Sequence, residues 1–226
     1  MTLSRWGFRE WGGSLAISVA ISLWLLDAGH GAWIALVGFL WLAIAAFFRQ
    51  PVRTPALRGE DILISPADGT ISAIERMPHP SLGADAPDAL VIRIFLSVLN
   101  VHTNRSPCAA MVVAISPQDG KYLDARSPES AKENERVDVT LQRPDGLVFG
   151  IRQISGAIAR RIICQLSPGD ELRQGETWGL IKFGSTTELV LPTDTPCDVL
   201  VSLGDTVRGG VTPLVRLIRG GQAARD

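Results

Sequence analysis

Gly169-Asp-Glu-Leu-Arg-Gln-Gly175 is echoed further along the chain by Gly204-Asp-Thr-Val-Arg-Gly-Gly210. Each stretch spells Gly-Asp, a spacer, an aliphatic residue, Arg and, at its end, Gly. Gly and Asp accept the backbone of tight turns, so a repeated pair marks corners between short strands. Pro66-Ala-Asp-Gly-Thr-Ile71 has the same look. Working outward, Val91-Ile-Arg-Ile-Phe-Leu-Ser97 reads as a buried strand, while Val137-Asp-Val-Thr-Leu141 and Thr187-Glu-Leu-Val-Leu191 alternate as strands do. The 22 Gly and 14 Pro occur singly, as punctuation between such runs. The fold expected is mainly β: a compact barrel-sandwich-like domain over residues 58–226. The longest region without β pattern is Gly120 to Arg136, and a polar loop of that length in a compact domain is functional or mobile.

Upstream the composition changes. From Trp11 to Phe48 the only ionisable side chains are Asp27 and His30. Two uncharged runs, Trp11–Leu26 and Ala32–Phe48, flank the polar turn Asp27-Ala-Gly-His-Gly31. As a helix the second run reaches about 25 Å, slightly short of a hydrocarbon core roughly 30 Å thick. The expectation is a hydrophobic helical hairpin over residues 1–49 that anchors the chain to a membrane, followed by a linker, 50–57, built on Pro51 and Pro55. Trp6, Trp11, Trp24, Trp33 and Trp41 fall here, as interfacial anchors do. Arg5, Arg9, Arg49, Arg53 and Arg58 flank the hairpin and place both of its ends, and the β domain, on the cytoplasmic face. Glu10 ahead of the first run, and the absence of an A-x-A-like cleavage site, argue against a signal peptide. Spanning and lying in the membrane both stay open.

Lys plus Arg number 22 and Asp plus Glu 23, a net charge of −1, so no nucleic-acid partner is expected. Cys108, Cys164 and Cys197 lie far apart, which disfavours a disulfide framework or a zinc cluster and fits a reducing compartment. No metal site is expected, and no G-x-S-x-G, H-E-x-x-H, P-loop or G-x-G-x-x-G occurs. Of the three His, His30 sits in the hairpin turn and His79, in Met77-Pro-His-Pro-Ser81, reads as an exposed turn. His102 ends a buried strand beside Asn100, Asn104 and Arg105. Asp68 and Ser185, each alone, read as turn residues. Gly184-Ser185, however, is a bond suited to a backbone N→O acyl shift: Gly offers an unhindered carbonyl and Ser the attacking hydroxyl. Such a hydroxyl needs a base and an orienting carboxylate, and His102 and Asp68 are the economical supply.

Four segments in order resemble the short form of phosphatidylserine decarboxylase: Ser65-Pro-Ala-Asp-Gly-Thr70, Phe95-Leu-Ser-Val-Leu-Asn-Val-His-Thr-Asn-Arg-Ser-Pro107, Gln153-Ile-Ser-Gly-Ala-Ile-Ala-Arg-Arg-Ile162 and Gly179-Leu-Ile-Lys-Phe-Gly-Ser185. Glu133-Asn-Glu-Arg136 fits as well. Archaeal enzymes acting on archaetidylserine look the same. The resemblance implies self-cleavage at Gly184–Ser185 into a β chain, 1–184, and an α chain, 185–226, that stay associated. It implies a pyruvoyl group derived from Ser185 in place of pyridoxal phosphate. The serine amine of phosphatidylserine would join the pyruvoyl ketone as a Schiff base, CO₂ would leave, and His102 would return a proton, giving phosphatidylethanolamine.

This chain departs from longer bacterial members, which carry two His in the His102 segment and Leu before Gly-Ser-Thr. Here Arg105 stands in place of the second His and Phe183 in place of Leu, so either His102 serves both steps or another group substitutes in one. Asn104 and Arg105 are candidate substrate contacts; Arg105, Arg160, Arg161 and Lys182 are phosphate candidates by charge and position. A homo-oligomer stays open. The rival reading is a non-enzymatic, membrane-anchored adaptor with a lipoyl-like barrel. Lipoyl and biotinyl carriers need a Lys at a hairpin tip, and Lys182, before Phe-Gly-Ser, is not in that setting.

Overall fold

The computed structural model describes residues 2–57, 59–82, 88–127, 129–157, 161–182 and 184–218. The chain divides into two compact units, Met1–Val52 and Arg53–Asp226.

The first unit is a helical pair, α1 (Phe8–Asp27) and α2 (Ile34–Phe47). Thr2–Leu3 pairs with Arg49–Gln50 and ties its two ends together. Trp11 and Trp41 turn inward: Trp11 Nε1–H donates to the Ser4 carbonyl and Trp41 Nε1–H to the Trp11 carbonyl. Trp24 and Trp33 are exposed, as are Ile17, Leu23, Leu26, Phe39 and Leu42. No helix among the described residues is long and apolar enough to cross a membrane.

The second unit is mainly β. Its largest sheet has eight antiparallel strands in the order Glu171–Leu172, Ala110–Gln118, Arg136–Gln142, Val148–Ile154, Ser185–Pro192, Ala89–Leu96, Gly69–Met77, Thr206–Val207. Two three-stranded sheets complete it: Ile162–Cys164, Thr177–Ile181 and Thr103–Arg105, then Cys197–Val199, Pro213–Leu217 and Ile62–Ile64. The Gly-Asp echo is a true structural repeat. Ser167 N–H donates to Asp170 Oδ2 (2.7 Å) and Ser202 N–H to Asp205 Oδ2 (2.8 Å). Gly169 and Gly204 take φ of +94° and +88°, a left-handed backbone that suits glycine. The closing glycines engage matching partners: Gly175 N–H donates to the Ser106 carbonyl and Gly210 N–H to the Ser65 carbonyl, both at 2.8 Å. Ser65-Pro66 and Ser106-Pro107 are thus equivalent corners.

Strand alternation sorts the side chains. Leu189 and Leu191 join Ile92, Ile94, Leu96, Val139, Leu141 and Ile151 in the core. The opposite face of the same strands is covered too, so the Ser185–Pro192 strand, despite its alternating Thr187–Leu191 segment, is buried through Leu191. On that second face Arg93, Glu188, Arg152 and Asp138 stand opposite one another across four strands. Charge alternates along this row, the favourable cross-strand arrangement. Arg93 Nε–H donates to Glu188 (2.7 Å) and Arg152 Nε–H to Asp138 (2.7 Å). His79 closes the row from above, bonded to Glu188 Oε2 at 3.1 Å, while Ser81 Oγ–H donates to Asp138. His79 is therefore not in an exposed turn. It is 4% exposed, because Pro80–Leu82 folds down over the charged row.

Burial alone would raise the Glu188 pKa; the His79 hydrogen bond and the Arg93 and Arg152 charges outweigh it and hold the carboxyl below its ordinary 4.5. A carboxyl depressed on folding contributes stability that is complete above its unfolded pKa and is lost as pH falls through its folded value. Denaturant unfolding should therefore show stability falling as pH drops below about 4.5, with a flatter acid limb in Glu188→Gln. That variant, which strips one partner from a buried charge cluster, should also cost about 3 kcal/mol at neutral pH. An acid limb unchanged in Glu188→Gln would contradict the assignment.

Candidate active site at Gly184–Ser185

Thr70, Phe95, Thr186, Ile154 and Arg136 form one row across five strands. Ser185 lies one step beyond it, at the start of its strand and opposite Leu96. By strand alternation Ser185 shares the core face with Thr187 and Leu189. It is fully buried, and its Oγ has no hydrogen-bond partner among the described residues. A buried hydroxyl left unpaired costs about 1–3 kcal/mol, so each one needs an explanation. Gly184, just before it, has φ +65°, a conformation glycine adopts without strain.

His102 faces this bond. Gly184 N–H donates to His102 Nε2 at 3.1 Å, and His102 Nδ1 is 2.9 Å from the Asn100 carbonyl. A carbonyl only accepts and an amide N–H only donates, so the proton belongs on Nδ1 and the lone pair on Nε2. That is the tautomer of a general base, with its lone pair one residue from the Ser185 hydroxyl. The Asn100 carbonyl is itself held in place: Ser97 N–H and Ser97 Oγ–H both donate to Asn100 Oδ1 at 2.8 Å, and Asn100 N–H donates back to the Ser97 carbonyl.

Asp68 is placed differently from the triad expectation. Its oxygens take a bidentate contact from the Arg53 guanidinium and the Gly209 N–H (2.8 Å). The group at His102 Nδ1 is thus a backbone carbonyl where a carboxylate was expected. Arg53, expected among the cations flanking the hairpin, is instead Asp68's ion-pair partner. Asn104 is a strut. Its Nδ2–H donates to Thr187 Oγ1 (2.9 Å) and its Oδ1 accepts from Gln153 Nε2 (2.8 Å), tying three strands together two residues past Ser185. Arg105 is buried, with Nη1–H donating to the Gly175 carbonyl at 2.9 Å. Burial and nearby Arg53 hold its pKa below the ordinary value, against an opposing pull from Asp68. Neither Asn104 nor Arg105 presents an open contact for substrate. Lys182 is also buried, and its N–H donates to the carbonyl of exposed Arg161. Arg58, Arg160 and Phe183 lie outside the described residues. Among those described, no three His, Cys, Asp or Glu are grouped to hold a metal.

Two further groups close the site. A Cβ on Gly156 would overlap the Gly184 carbonyl oxygen and stand 3.1 Å from Ala125 Cβ. Gly156 therefore makes room for the carbonyl that Ser185 would attack. Gly120 to Arg136 folds over it: Thr186 Oγ1–H donates to the Ala125 carbonyl, and Asn134 Nδ2–H donates to the Leu123 and Ser155 carbonyls. Leu123, Ala125 and Asn134 of that stretch thus pack against the site. Gly156→Ala should leave strand content intact by circular dichroism yet slow cleavage on the order of 10²-fold, the cost of displacing a reacting group by about 1 Å. Cleavage at the normal rate would show that the Gly184 carbonyl tolerates displacement.

These features set an imidazole lone pair and a buried hydroxyl beside one Gly-Ser peptide bond. Residues 41–214 match the family model described as phosphatidylserine decarboxylase. A phosphatidylserine decarboxylase proenzyme of Pelobacter propionicus is 43% identical over 183 residues, 81% of this chain and 80% of that protein. Those of Rhodopirellula baltica (42%, covering 91% and 86%) and Ruegeria pomeroyi (38%, covering 88% and 89%) are similar at comparable length. The chain belongs to the phosphatidylserine decarboxylase family.

Proposed function

We propose that this chain is a self-processing, pyruvoyl-dependent phosphatidylserine decarboxylase that cuts itself between Gly184 and Ser185. The observation that carries the reading is His102 Nε2 on the Gly184 N–H, beside a buried Ser185 hydroxyl without a partner. His102 takes the hydroxyl proton as Oγ attacks the Gly184 carbonyl carbon. The C–N bond breaks as His102 passes that proton to the Ser185 nitrogen, and an ester remains. Loss of the Ser185 α-proton then expels the Gly184 carboxylate from Cβ, and one water converts the resulting dehydroalanine to a ketone with release of ammonia. The water-poor, glycine-lined setting fits a group made in place from residue 185. Asp68 is proposed to support His102, which requires it to exchange its contact with Arg53.

When present, the pyruvoyl ketone supplies an electron sink for the electrons left as CO₂ departs. His102 holds the proton that replaces the carboxylate on the substrate carbon. Among the described residues, exposed Arg161 is the phosphate contact proposed. Chains 1–184 and 185–226 stay together because the Ser185–Pro192 strand is paired on both sides. The exposed apolar residues of α1 and α2, with Arg5, Arg9 and Arg49 at the ends of the pair, favour a helical pair lying in the membrane interface with the β domain on the cytoplasmic side. Reduction with cyanoborohydride in the presence of phosphatidylserine should join the substrate amine to the 185–226 chain by mass. Its attachment elsewhere, or nowhere, would contradict the proposal.

A further inference from the structure

We infer that the Ser97–Asn100 turn is a membrane-contacting surface that seats the reaction centre on a phospholipid bilayer. This rests on the proposed chemistry at residue 185. Val98 is 43% and Leu99 84% exposed, although both are aliphatic. They stand over the reacting bond: Val98 Cγ2 lies 4.0 Å from where a Cβ on Gly184 would be. The turn between them is rigid, held by the three hydrogen bonds between Ser97 and Asn100. An apolar tip on a fixed turn enters an interface without first being ordered.

The substrate's chemistry selects the occupant. In phosphatidylserine only the serine Cβ and Cα separate the phosphate ester oxygen from the reacting amine, while the acyl chains remain in the bilayer. The protein surface around residue 185 must therefore come close to the bilayer, and Val98 and Leu99 are part of that surface. Exposed Arg161, whose carbonyl accepts from Lys182 N–H two residues before Gly184, adds a cation suited to anionic headgroups. Apolar side chains together with a basic residue are the composition of an interfacial contact. The same turn carries the Asn100 carbonyl that orients His102, so membrane contact and catalytic geometry share one rigid piece.

The test uses the full-length chain and Leu99→Asp, with Met111→Asp as control. Met111 is 42% exposed and pairs with Gln142, at the end of the sheet remote from the Thr186 row. Self-cleavage is followed by mass. Turnover is measured on phosphatidylserine in phosphatidylcholine vesicles and on dispersed short-chain phosphatidylserine. Leu99→Asp is expected to cleave fully, to lose at least tenfold in kcat/KM on vesicles, mainly through KM, and to stay within about twofold on the dispersed substrate. Met111→Asp is expected to match wild type on both. Equal losses on both substrates would show that the turn serves only His102, and no loss on vesicles would show that it does not meet the bilayer; either overturns the inference. A wild-type chain that remains uncut overturns the underlying reading, and the inference with it.

Discussion

Ser185→Ala is expected to remain a single chain of 24.3 kDa and to show no decarboxylation at all. The substitution removes one oxygen, and that oxygen is the only nucleophile the cleavage uses. It should leave the fold unharmed. Ser185 Oγ makes no hydrogen bond, so its loss strands no partner, and alanine fits any space serine fills. The strand stays paired to Ala89–Leu96 and to Gly150–Ile154. Ser185→Cys should cut slowly, since a thiol makes the same acyl shift. Denaturing gels and intact mass read both outcomes. Cleavage of Ser185→Ala at this bond would remove Ser185 from the chemistry.

His102→Ala should slow self-cleavage on the order of 10³-fold, the usual range for losing a general base. Because His102 is fully buried and bonded through both ring nitrogens, alanine also leaves the Gly184 N–H without its acceptor. His102→Gln separates the two losses. A glutamine amide oxygen can still accept from Gly184 N–H but cannot take up a proton at neutral pH. If His102 acts as a base, His102→Gln should fold, by circular dichroism and thermal midpoint, and stay uncut. If the imidazole only positions Gly184, glutamine should restore cleavage. In protein whose chains are already separate and carry the ketone, His102→Ala should still impair turnover, because a proton must be returned to the substrate. Asp68→Asn, by contrast, should be milder there than in self-cleavage.

The parts of this molecule legible in sequence are those that local chemistry dictates. Gly169-Asp170 and Gly204-Asp205 turn corners because glycine adopts the left-handed backbone and the aspartate bonds a nearby N–H; both causes lie within four residues. Leu189 points to a core by alternation and Ile92 by its place in a buried strand. Ser106-Pro107 went unnoticed as the counterpart of Ser65-Pro66 because the equivalence rests on bonds to distant Gly175 and Gly210. His79 was misread for the same reason. Met-Pro-His-Pro-Ser has turn composition, and only the row of Arg93, Glu188, Arg152 and Asp138, gathered from four strands, explains why it is buried. At the site, Ser185 and His102 were visible through their neighbours and the resemblance. Asp68's engagement with Arg53 was not, since nothing in Pro-Ala-Asp-Gly points fifteen residues back. Asn100 and Gly156 carry no signal of their own in the sequence; an Asn two residues before a His, and a Gly within Ile-Ser-Gly, become informative only once Gly184 is known to lie between them.

The claim at the centre is that the chain breaks its own backbone at one bond and leaves a ketone there. Intact mass analysis of the purified wild-type protein, run under denaturing conditions with and without a carbonyl reagent, tests it most directly. The result expected is two species, residues 1–184 ending in a free carboxylate and residues 185–226 bearing an N-terminal pyruvoyl that takes up the reagent. A single unreactive species of 24.3 kDa, or a cut at any other bond, would contradict it.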